Sequence, residues 1–214
     1  MQTISFKNVV PQVFASLSEC QSDVWRQEQV FERGHLYLVE ADSGKGKSTF
    51  CSYIIGYRHD YTGSLLFDDR DTRRFRVADW VNIRREHISY LFQELRLFPE
   101  LTAWENVEIK NRMTGYKSEK QIKEWFDVLG IADKRDVKVE RMSFGQQQRV
   151  ALMRCLVQPF DFLLADEPIS HLDDGNARLM GKLMLDEAKS QGAGIIVTSI
   201  GKHIPLPYEK TLKV

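Results

Sequence analysis

The sequence predicts an α/β fold, in which helices alternate with the strands of a central β-sheet. Leu36–Val39 is a short apolar run typical of a buried strand, and Phe50, Tyr53 and Tyr57 after it share one face at helical spacing. A glycine-rich segment connects this strand to this helix. Further along, three helical stretches follow one another, which predicts a helical subdomain inserted into the sheet core. At 214 residues, the chain is long enough for one large domain with a substantial core.

Strands in the first half of the chain are predicted from runs rich in Ile, Val, Phe and Trp. These runs are Thr3–Val9, Asp23–Phe31, Gly63–Phe67 and His87–Phe92. Basic residues cluster at 70–76 and 84–85. We interpret them as a solvated surface, with contact to nucleic acid as the alternative.

The second half of the chain contains the three successive helices and then returns to the sheet. The helices are predicted to open at Leu101-Thr102, to span Ser118–Leu129 and to begin near Ser143. The core is predicted to resume with a strand, a helix and a strand at Phe160–Asp166, Gly175–Ser190 and Gly194–Thr198.

Composition and charge exclude several classes of protein. Hydrophobic residues at 43% and charged residues at 28% are ordinary for a soluble globular domain. The 30 basic residues balance 30 acidic ones, so we expect no nucleic-acid partner held by the overall field. No apolar run reaches membrane-spanning length and no signal peptide is evident, so we expect a cytoplasmic protein. Cys20, Cys51 and Cys155 are expected to be buried, reduced thiols.

The glycine-rich segment has the features of a phosphate-binding loop. It reads Ala41, Asp42, Ser43, Gly44, Lys45, Gly46, Lys47, Ser48 and Thr49. Gly44 and Gly46 allow the backbone N–H groups to form an anion nest in front of a helix N-terminus. Lys47 is expected to reach the β- and γ-phosphates, and the Ser48 hydroxyl to ligate Mg²⁺. Ala41 departs from the motif, because a glycine belongs at this first position.

The predicted strand at Phe160–Asp166 ends in two acids, Asp166 and Glu167. Asp166 is in the position to hold Mg²⁺ through its water shell, and Glu167 can accept a proton from a water molecule that attacks the γ-phosphate. A buried strand that ends in an acidic turn is common, so these residues indicate nucleotide hydrolysis only together with the phosphate-binding loop.

Several motifs resemble those of the ATP-binding-cassette (ABC) ATPases. Arg141–Arg149 resembles the signature motif, Gln93 matches the Q-loop glutamine, and Ser170–Asp173 is similar to the D-loop. The resemblance covers about Ile4 to Ser199. Leu97–Val107 further resembles the bacterial branch that serves lipoprotein release, macrolide export and the cell-division ABC complex.

The resemblance implies a fold, cofactors and partners. The fold is a P-loop NTPase (RecA-like) core, about 1–95 and 158–214, with an N-terminal antiparallel β subdomain and a helical subdomain at about 96–157. The cofactors are ATP and Mg²⁺. The partners are an integral-membrane permease subunit and a second ABC ATPase chain, identical or different, in a head-to-tail dimer. The chain is therefore expected to be peripheral to the inner membrane through its partner.

The resemblance also implies roles for residues outside the phosphate-binding loop. Ser143, Gly145 and Gln146 are expected to contact ATP bound to the other chain, with Asp173 close to that chain's phosphate-binding loop. Gln93 is expected to ligate Mg²⁺ and to report its state to the membrane partner, and Glu167 to act as the general base. Phe14 is the candidate for the aromatic ring that stacks on adenine, with Trp25 as the alternative.

Two further positions depart from the family pattern. Phe144 replaces the first glycine of the signature, which is acceptable only if its side chain points away from the phosphate. Ser199 replaces the histidine that normally positions the attacking water, and a serine hydroxyl is shorter and carries no charge. His203 lies four residues later and is interpreted as a surface residue.

The sequence leaves two functions open. The first is the nucleotide-binding subunit of an ABC transporter or transporter-like complex, which hydrolyses MgATP to drive a separate membrane subunit. The second is an ATP-binding switch or scaffold that hydrolyses ATP slowly or not at all. Glu167 favours the first and Ser199 favours the second. A nucleic-acid-associated cassette is disfavoured, because the chain carries neither a long coiled-coil insertion nor a second cassette.

Overall fold

A parallel sheet and an antiparallel sheet organise the structure. The computed structural model describes residues 1–16, 22–40, 46–169 and 173–214. The antiparallel sheet contains β1 (Thr3–Pro11), β2 (Glu28–Glu32), β4 (Tyr61–Phe67) and β5 (Arg70–Asp71) in the order β2-β1-β4-β5. The parallel sheet contains β3 (Leu36–Glu40), β6 (Ile88–Leu91), β7 (Phe162–Asp166), β8 (Gly194–Ser199) and β9 (Lys210–Lys213) in the order β6-β7-β8-β3-β9.

Six α-helices accompany these strands in the part of the chain that the structure describes. They are α1 (Lys47–Ile54), α2 (Val77–Asn82), α3 (Ala103–Asn111), α4 (Glu119–Val128), α5 (Phe144–Leu156) and α6 (Asp174–Gln191). A π-helical turn at Ile83–His87 extends α2 toward β6. Over the described ranges, none of these helices has both the length and the apolarity to span a bilayer.

The expected α/β fold with its two kinds of sheet is confirmed, whereas two element boundaries differ from expectation and two elements were not expected. The strand predicted at Asp23–Phe31 begins only at Glu28. The Ser22 hydroxyl accepts hydrogen bonds from the N–H groups of Val24 and Trp25, and this local turn replaces pairing with a strand. Helix α1 ends at Ile54, so Tyr57 lies beyond it. Strand β9 and helix α2 were not predicted.

Aromatic packing holds α1 between the two sheets. The Phe6 ring of β1 stacks on the Phe50 ring of α1 with a centroid separation of 5.2 Å. Phe31 of β2 contacts both Phe50, at 5.5 Å, and Tyr37 of β3, at 5.0 Å. Such aromatic pairs contribute roughly 0.5–1.5 kcal/mol each beyond the burial of apolar area. They fix α1, and with it the end of the phosphate-binding loop, against the sheet.

The three central helices begin with the same capping arrangement. Each N-cap hydroxyl accepts the backbone N–H three residues later, and the side chain at that position accepts the N-cap N–H; the pairs are Thr102 with Glu105, Ser118 with Gln121 and Ser143 with Gln146. This S/T-x-x-E/Q pattern explains why the helix starts predicted from the sequence lie close to those in the structure. The Trp104 ring of α3 stacks on Phe126 of α4 at 6.2 Å, so these helices pack on one another.

Asp161, just before β7, joins distant parts of the chain. Its carboxylate contacts the Met1 ammonium at 2.6 Å, the Arg33 guanidinium at 2.8 Å and His87 Nδ1 at 2.6 Å. Arg33 also donates to the backbone oxygens of residues 191 and 192 at the C-terminal end of α6. These contacts fix the amino end of β7, the strand whose carboxyl end carries the candidate site.

The parallel register places several polar side chains at one edge of the sheet. Parallel strands end together, and β3, β7 and β8 end at Glu40, Asp166 and Ser199. Asp166 lies opposite Thr198, and Glu40 opposite Ser199. In open α/β sheets, ligands bind outside the carboxyl ends of the strands.

Candidate functional site

The described part of the phosphate-binding loop has the backbone that a helix N-terminal anion site requires. Gly46 is the N-cap of α1 and has a left-handed backbone with φ of 109°. Lys47 is the first helical residue and is buried, and Ser48 after it is exposed. Thr49 is buried and its hydroxyl accepts a hydrogen bond from Arg58 at 3.1 Å. The predictions for Ala41, Asp42, Ser43, Gly44 and Lys45 lie outside the described residues.

Two aromatic side chains pack against Gly46. A Cβ atom at this position would lie 2.9 Å from Phe14 and 3.2 Å from the Trp25 indole nitrogen, so only glycine fits here. Phe14 is half-buried and lies at the end of a single turn after β1. Trp25 is 1% exposed and belongs to the core. Of the two candidates for contact with a base, Phe14 is therefore the one whose ring retains an accessible surface.

Lys47, Gln93 and Glu167 come together at the ends of three different elements. Lys47 Nζ lies 3.7 Å from Glu167 Oε1, and Gln93 Nε2 donates to Glu167 Oε2 at 3.3 Å. Burial raises the pKa of Glu167 and so does the neighbouring Asp166, whereas the Lys47 charge lowers it. The net shift is upward, which is the direction that makes a carboxylate a better proton acceptor.

Asp166 is held by hydrogen bonds to both carboxylate oxygens. The Thr198 hydroxyl donates to Oδ1, and the Tyr90 hydroxyl donates to Oδ2 at 3.1 Å. Burial raises the pKa of Tyr90, so its hydroxyl stays protonated and remains a donor.

Cys51 lies against the hydroxyls of Tyr90 and Thr198, and burial raises the pKa of its thiol well above the usual range. Cys51 and Cys155 are buried free thiols, as expected, whereas Cys20 lies outside the described residues.

The donor set at this edge suits a magnesium nucleotide. Mg²⁺ prefers oxygen ligands, and Asp166, Ser48 and Gln93 supply a carboxylate, a hydroxyl and an amide oxygen at neighbouring positions. Ser48 and Gln93 are exposed and Asp166 is 4% exposed, so the three range from the solvent to the base of the site. Phosphate groups fit the start of α1, where Gly46 allows close approach and Lys47 supplies a positive charge.

The Ser199 side chain forms its hydrogen bonds within its own loop. Its hydroxyl donates to the Lys202 carbonyl oxygen at 2.8 Å and accepts the Gly201 N–H at 3.0 Å, and the residue is 1% exposed. His203 is exposed, its ring contacts Tyr208 at 5.6 Å, and its Nδ1 lies 3.2 Å from the Gly201 carbonyl oxygen. Neither side chain contacts Glu167 within the described part of the chain.

A match to a family model identifies the chain. Residues 29–170, more than half of the sequence, match the model described as ABC transporter. The chain belongs to the ABC transporter family. The expected P-loop NTPase core of this family is confirmed by the solved structures that the chain resembles. The ATP-binding cassette MJ0796, solved as a dimer in a post-hydrolysis state bound to ADP and Pi, is 27% identical with a TM-score of 0.74, over 92% of this chain and 87% of that chain.

Curated relatives support the branch of the ABC family that the sequence indicated. The macrolide export ATP-binding/permease protein MacB of Shewanella sp. (strain ANA-3) is 30% identical over 185 residues, or 85% of this chain. The chain spans 28% of the length of that relative. The lipoprotein-releasing system ATP-binding protein LolD 1 of Chlorobium chlorochromatii (strain CaD3) is 35% identical over 150 residues, or 68% of this chain and 61% of LolD 1.

The signature motif of this ABC protein lies at an exposed helix N-terminus. Ser143 is the N-cap of α5, and its backbone N–H donates to Gln146 Oε1 at 2.9 Å. Phe144 is 41% exposed and Gly145 is half-buried. The side chain of Phe144 is therefore partly exposed, and its orientation away from a phosphate on a second chain stays a prediction. Contact between these residues and ATP on a second chain stays a prediction.

Asp173 of the cassette is the N-cap of α6. Its carboxylate accepts hydrogen bonds from the backbone N–H and side-chain amide of Asn176, at 2.9 and 2.6 Å. These hydrogen bonds lower the pKa of Asp173, and the residue is exposed. Residues 170–172 of the D-loop lie outside the described residues, so the position of Asp173 near another chain also stays a prediction.

Sequence reasoning missed Tyr90 and Thr198, which hold Asp166 of the cassette. Thr198 could have been found, because a buried polar residue near the end of an apolar strand has to find a partner. Tyr90 carries no such signal. It lies in an apolar run of β6, where an aromatic residue is ordinary, and its partner is 76 residues away.

A cationic cavity lies beside β6, where residues of this strand, including Tyr90, meet residues of the cassette's helices α3 and α5. It has a volume of about 160 Å³, and none of the described residues that line it is acidic. Arg84, Arg96, Lys110 and Arg154 contribute to its wall together with aromatic rings. Burial lowers the pKa of Lys110, whose ammonium has no ion-pair partner among the described residues.

Proposed function

We propose that this ABC cassette binds MgATP and hydrolyses it as the nucleotide-binding subunit of a transporter or transporter-like membrane complex. The observation that carries the proposal is the convergence of Lys47, Gln93 and Glu167. At the end of β7, Glu167 has a raised pKa and lies within ion-pair distance of Lys47, whose charge suits the phosphates. Its carboxylate also accepts a hydrogen bond from the Gln93 amide.

The chain's own groups divide the work of hydrolysis. The start of α1 and Lys47 bind and orient the phosphates, and Asp166, Ser48 and Gln93 would hold Mg²⁺, which neutralises charge that develops on the phosphate oxygens. Glu167 accepts a proton from the attacking water. The oxygen of this water bonds to the γ-phosphorus while the bond between the γ-phosphorus and the bridging oxygen of the ADP leaving group breaks. Before nucleotide binds, Lys47 faces Glu167; phosphate oxygens compete for Lys47 and free the carboxylate.

We further propose that two cassettes close head to tail around ATP. Ser143, Gly145 and Gln146 lie at the N-terminus of α5, a 13-residue helix whose dipole favours an anion. The exposure of Ser143 and Asp173 leaves both available to a second chain. The γ-phosphate would then belong to the interface, so ATP closes the dimer and hydrolysis opens it. We also propose a core at about 1–95 and 158–214 with a helical subdomain at about 96–157.

We propose that the membrane subunit contacts the cationic cavity, from the cytoplasmic side of the inner membrane. The cavity adjoins Phe92, the neighbour of Gln93, and reaches Lys110 on α3 and Arg154 on α5. Four cations without a lining carboxylate favour an acidic segment of the membrane subunit. Binding there would connect the membrane subunit to Gln93 through β6.

A second function is favoured by Ser199. Its hydroxyl is occupied by its own loop and has no contact with Glu167 among the described residues, so the group that usually orients water is lacking. A cassette that binds ATP tightly and hydrolyses it slowly would act as a switch or scaffold. The two functions share the binding site and differ in turnover.

Calorimetry of ATP binding and a steady-state ATPase assay test the proposal. Lys47→Ala should abolish MgATP binding, because Lys47 offsets the phosphate charge, whereas Lys182→Ala on the exposed face of α6 should bind normally. Glu167→Gln should retain ATP and form a dimer by light scattering. Unchanged affinity in Lys47→Ala would refute the assignment. Absence of turnover in the wild type, even with its membrane subunit, would establish the switch.

A further inference from the structure

The hydrogen bonds to Asp166 differ in origin. Thr198 belongs to β8, whose backbone lies directly opposite Asp166 in the sheet register. Tyr90 belongs to β6 on the other side of β7 and lies opposite Leu164, two residues before Asp166. The long phenol side chain spans this offset and brings its hydroxyl to 3.1 Å from Asp166 Oδ2. The carboxylate is therefore held from both neighbouring strands.

Tyr90 is itself fixed at several points. Its backbone is part of the ladder between β6 and β7, and its carbonyl oxygen accepts a hydrogen bond from Cys155 at 3.1 Å. Its ring contacts Phe92 with a centroid separation of 4.1 Å. A side chain held in this way offers its hydroxyl in one place. A carboxylate with a donor on each oxygen can no longer rotate freely about its terminal torsion.

We propose that Tyr90 is a positioning residue that orients Asp166 toward the magnesium ion of the bound nucleotide. This inference rests on the proposed binding of MgATP. The hydroxyl satisfies one oxygen of Asp166 from the side of β6 and leaves the other lone pairs for the water shell of the metal. A purely structural tyrosine would fill the same space, so the two roles differ only in what the hydroxyl does.

The variant Tyr90→Phe separates these roles, because it keeps the ring and removes the hydroxyl. ATP affinity is measured by calorimetry twice, once with Mg²⁺ and once with EDTA. A hydrogen bond to a charged group corresponds to roughly a tenfold change in an equilibrium constant. We expect the gain in affinity on adding Mg²⁺ to fall about tenfold in Tyr90→Phe, while the affinity in EDTA stays at the wild-type value.

Two further variants control the measurement. Tyr208→Phe removes another partly buried hydroxyl, which donates to the Ile204 carbonyl oxygen at 2.8 Å and does not contact Asp166. Tyr208→Phe should show the same gain in ATP affinity on adding Mg²⁺ as the wild type. Thr198→Val removes the other donor to Asp166 and should lower the gain as Tyr90→Phe does. Circular dichroism and the urea midpoint check that each variant is folded.

The possible results lead to different conclusions. An equal loss of affinity with and without Mg²⁺ in Tyr90→Phe would overturn the inference and assign the hydroxyl a structural role. A gain equal to that of the wild type would overturn it as well, while the proposed function stands. If the wild type itself binds no ATP in either condition, the proposed function fails and this inference fails with it.

Discussion

Ser199 and Lys202 close a tight loop at the end of β8. The Ser199 hydroxyl donates to the Lys202 carbonyl oxygen at 2.8 Å, which directs it toward its own backbone. A short side chain at this position therefore stabilises the loop, whereas a longer ring would have to leave the loop and reach outward. Under the proposed function, we expect the choice between serine and histidine at this position to change the rate of ATP turnover.

His203→Ala should leave ATP turnover within about twofold of the wild type. The His203 ring is exposed and contacts Tyr208, its Nδ1 lies near the Gly201 carbonyl oxygen, and among the described residues it makes no contact with Glu167. A steady-state ATPase assay measures the effect, with Glu167→Gln as the inactive reference. A tenfold or greater loss would assign His203 the role that Ser199 lacks.

Ser199→His should raise turnover by about tenfold or more and lower stability. A positioned group that handles protons or orients water contributes roughly 10²–10⁴-fold to a rate. The larger ring breaks the hydrogen bonds of the loop and crowds a buried position, which costs about 1–3 kcal/mol. Ser199→Ala is the matched control, because it loses the same hydrogen bonds and adds no such group; its turnover should stay near the wild type. Equal rates in both variants would contradict the prediction.

Gly46→Ala should weaken ATP binding at least tenfold and destabilise the fold. The residue has φ of 109°, and a Cβ atom would lie 2.9 Å from the Phe14 ring, so both strain and steric contact act against it. Gly115→Ala isolates the strain, because Gly115 also has positive φ, at 63°, and its Cβ atom would meet nothing within 4 Å. The free energy of unfolding of Gly115→Ala, measured in urea, should fall by about 1 kcal/mol, while its ATP affinity should stay at the wild-type value. Normal ATP affinity in Gly46→Ala would mean that the loop can shift.

Stability should depend on the ion pair between His35 and Glu209, which joins the starts of β3 and β9 at 2.6 Å. The hydrogen bond between them raises the pKa of His35 above 6.5 and lowers the pKa of Glu209 below 4.5. The contribution of His35 is complete below pH 6.5 and is lost as the pH rises through its raised pKa. The contribution of Glu209 is complete above pH 4.5 and is lost as the pH falls through its lowered pKa.

The pair therefore contributes fully between about pH 4.5 and 6.5. Urea midpoints of the wild type and of Glu209→Gln, taken from below pH 4.5 to above pH 6.5, provide the measurement. The difference between the two proteins should be largest inside the window and should shrink on both sides. A difference that does not change with pH would show that the charges are not coupled.

The sequence predicts the elements whose residues carry a local signal. Four apolar residues before Asp166 predict β7, and Ser143 with Gln146 predicts the start of α5, because both patterns are read within one element. Strand β9 has a single buried apolar residue, Leu212, and is a strand because it pairs with β3. Helix α2 buries only Trp80 and carries exposed valines, so its pattern resembles a solvated segment.

In the candidate site, too, some residues carry a local sequence signal, whereas their contacts depend on long-range packing. Lys47 and Glu167 lie in motifs that identify them, although their separation of 3.7 Å depends on the packing of α1 on β7. The contact of Tyr90 with Asp166 depends on the register between β6 and β7, which no local pattern encodes. The basic residues read as a solvated face are paired in part: Arg73 contacts Asp71, and Arg84 donates to the carbonyl oxygen of Ile55.

The backbone of Glu167 has φ of 47°, in the region that residues with a side chain rarely occupy. Holding a glutamate there costs about 1–2 kcal/mol, which glycine would recover. Relief of this backbone strain favours Glu167→Gly, whereas the same variant loses the ion pair with the buried Lys47 at 3.7 Å and, under the proposed function, the general base. Because backbone strain alone favours glycine here, glutamate at this position is explained by what its carboxylate contacts: the buried Lys47, Gln93 and, under the proposed function, the attacking water.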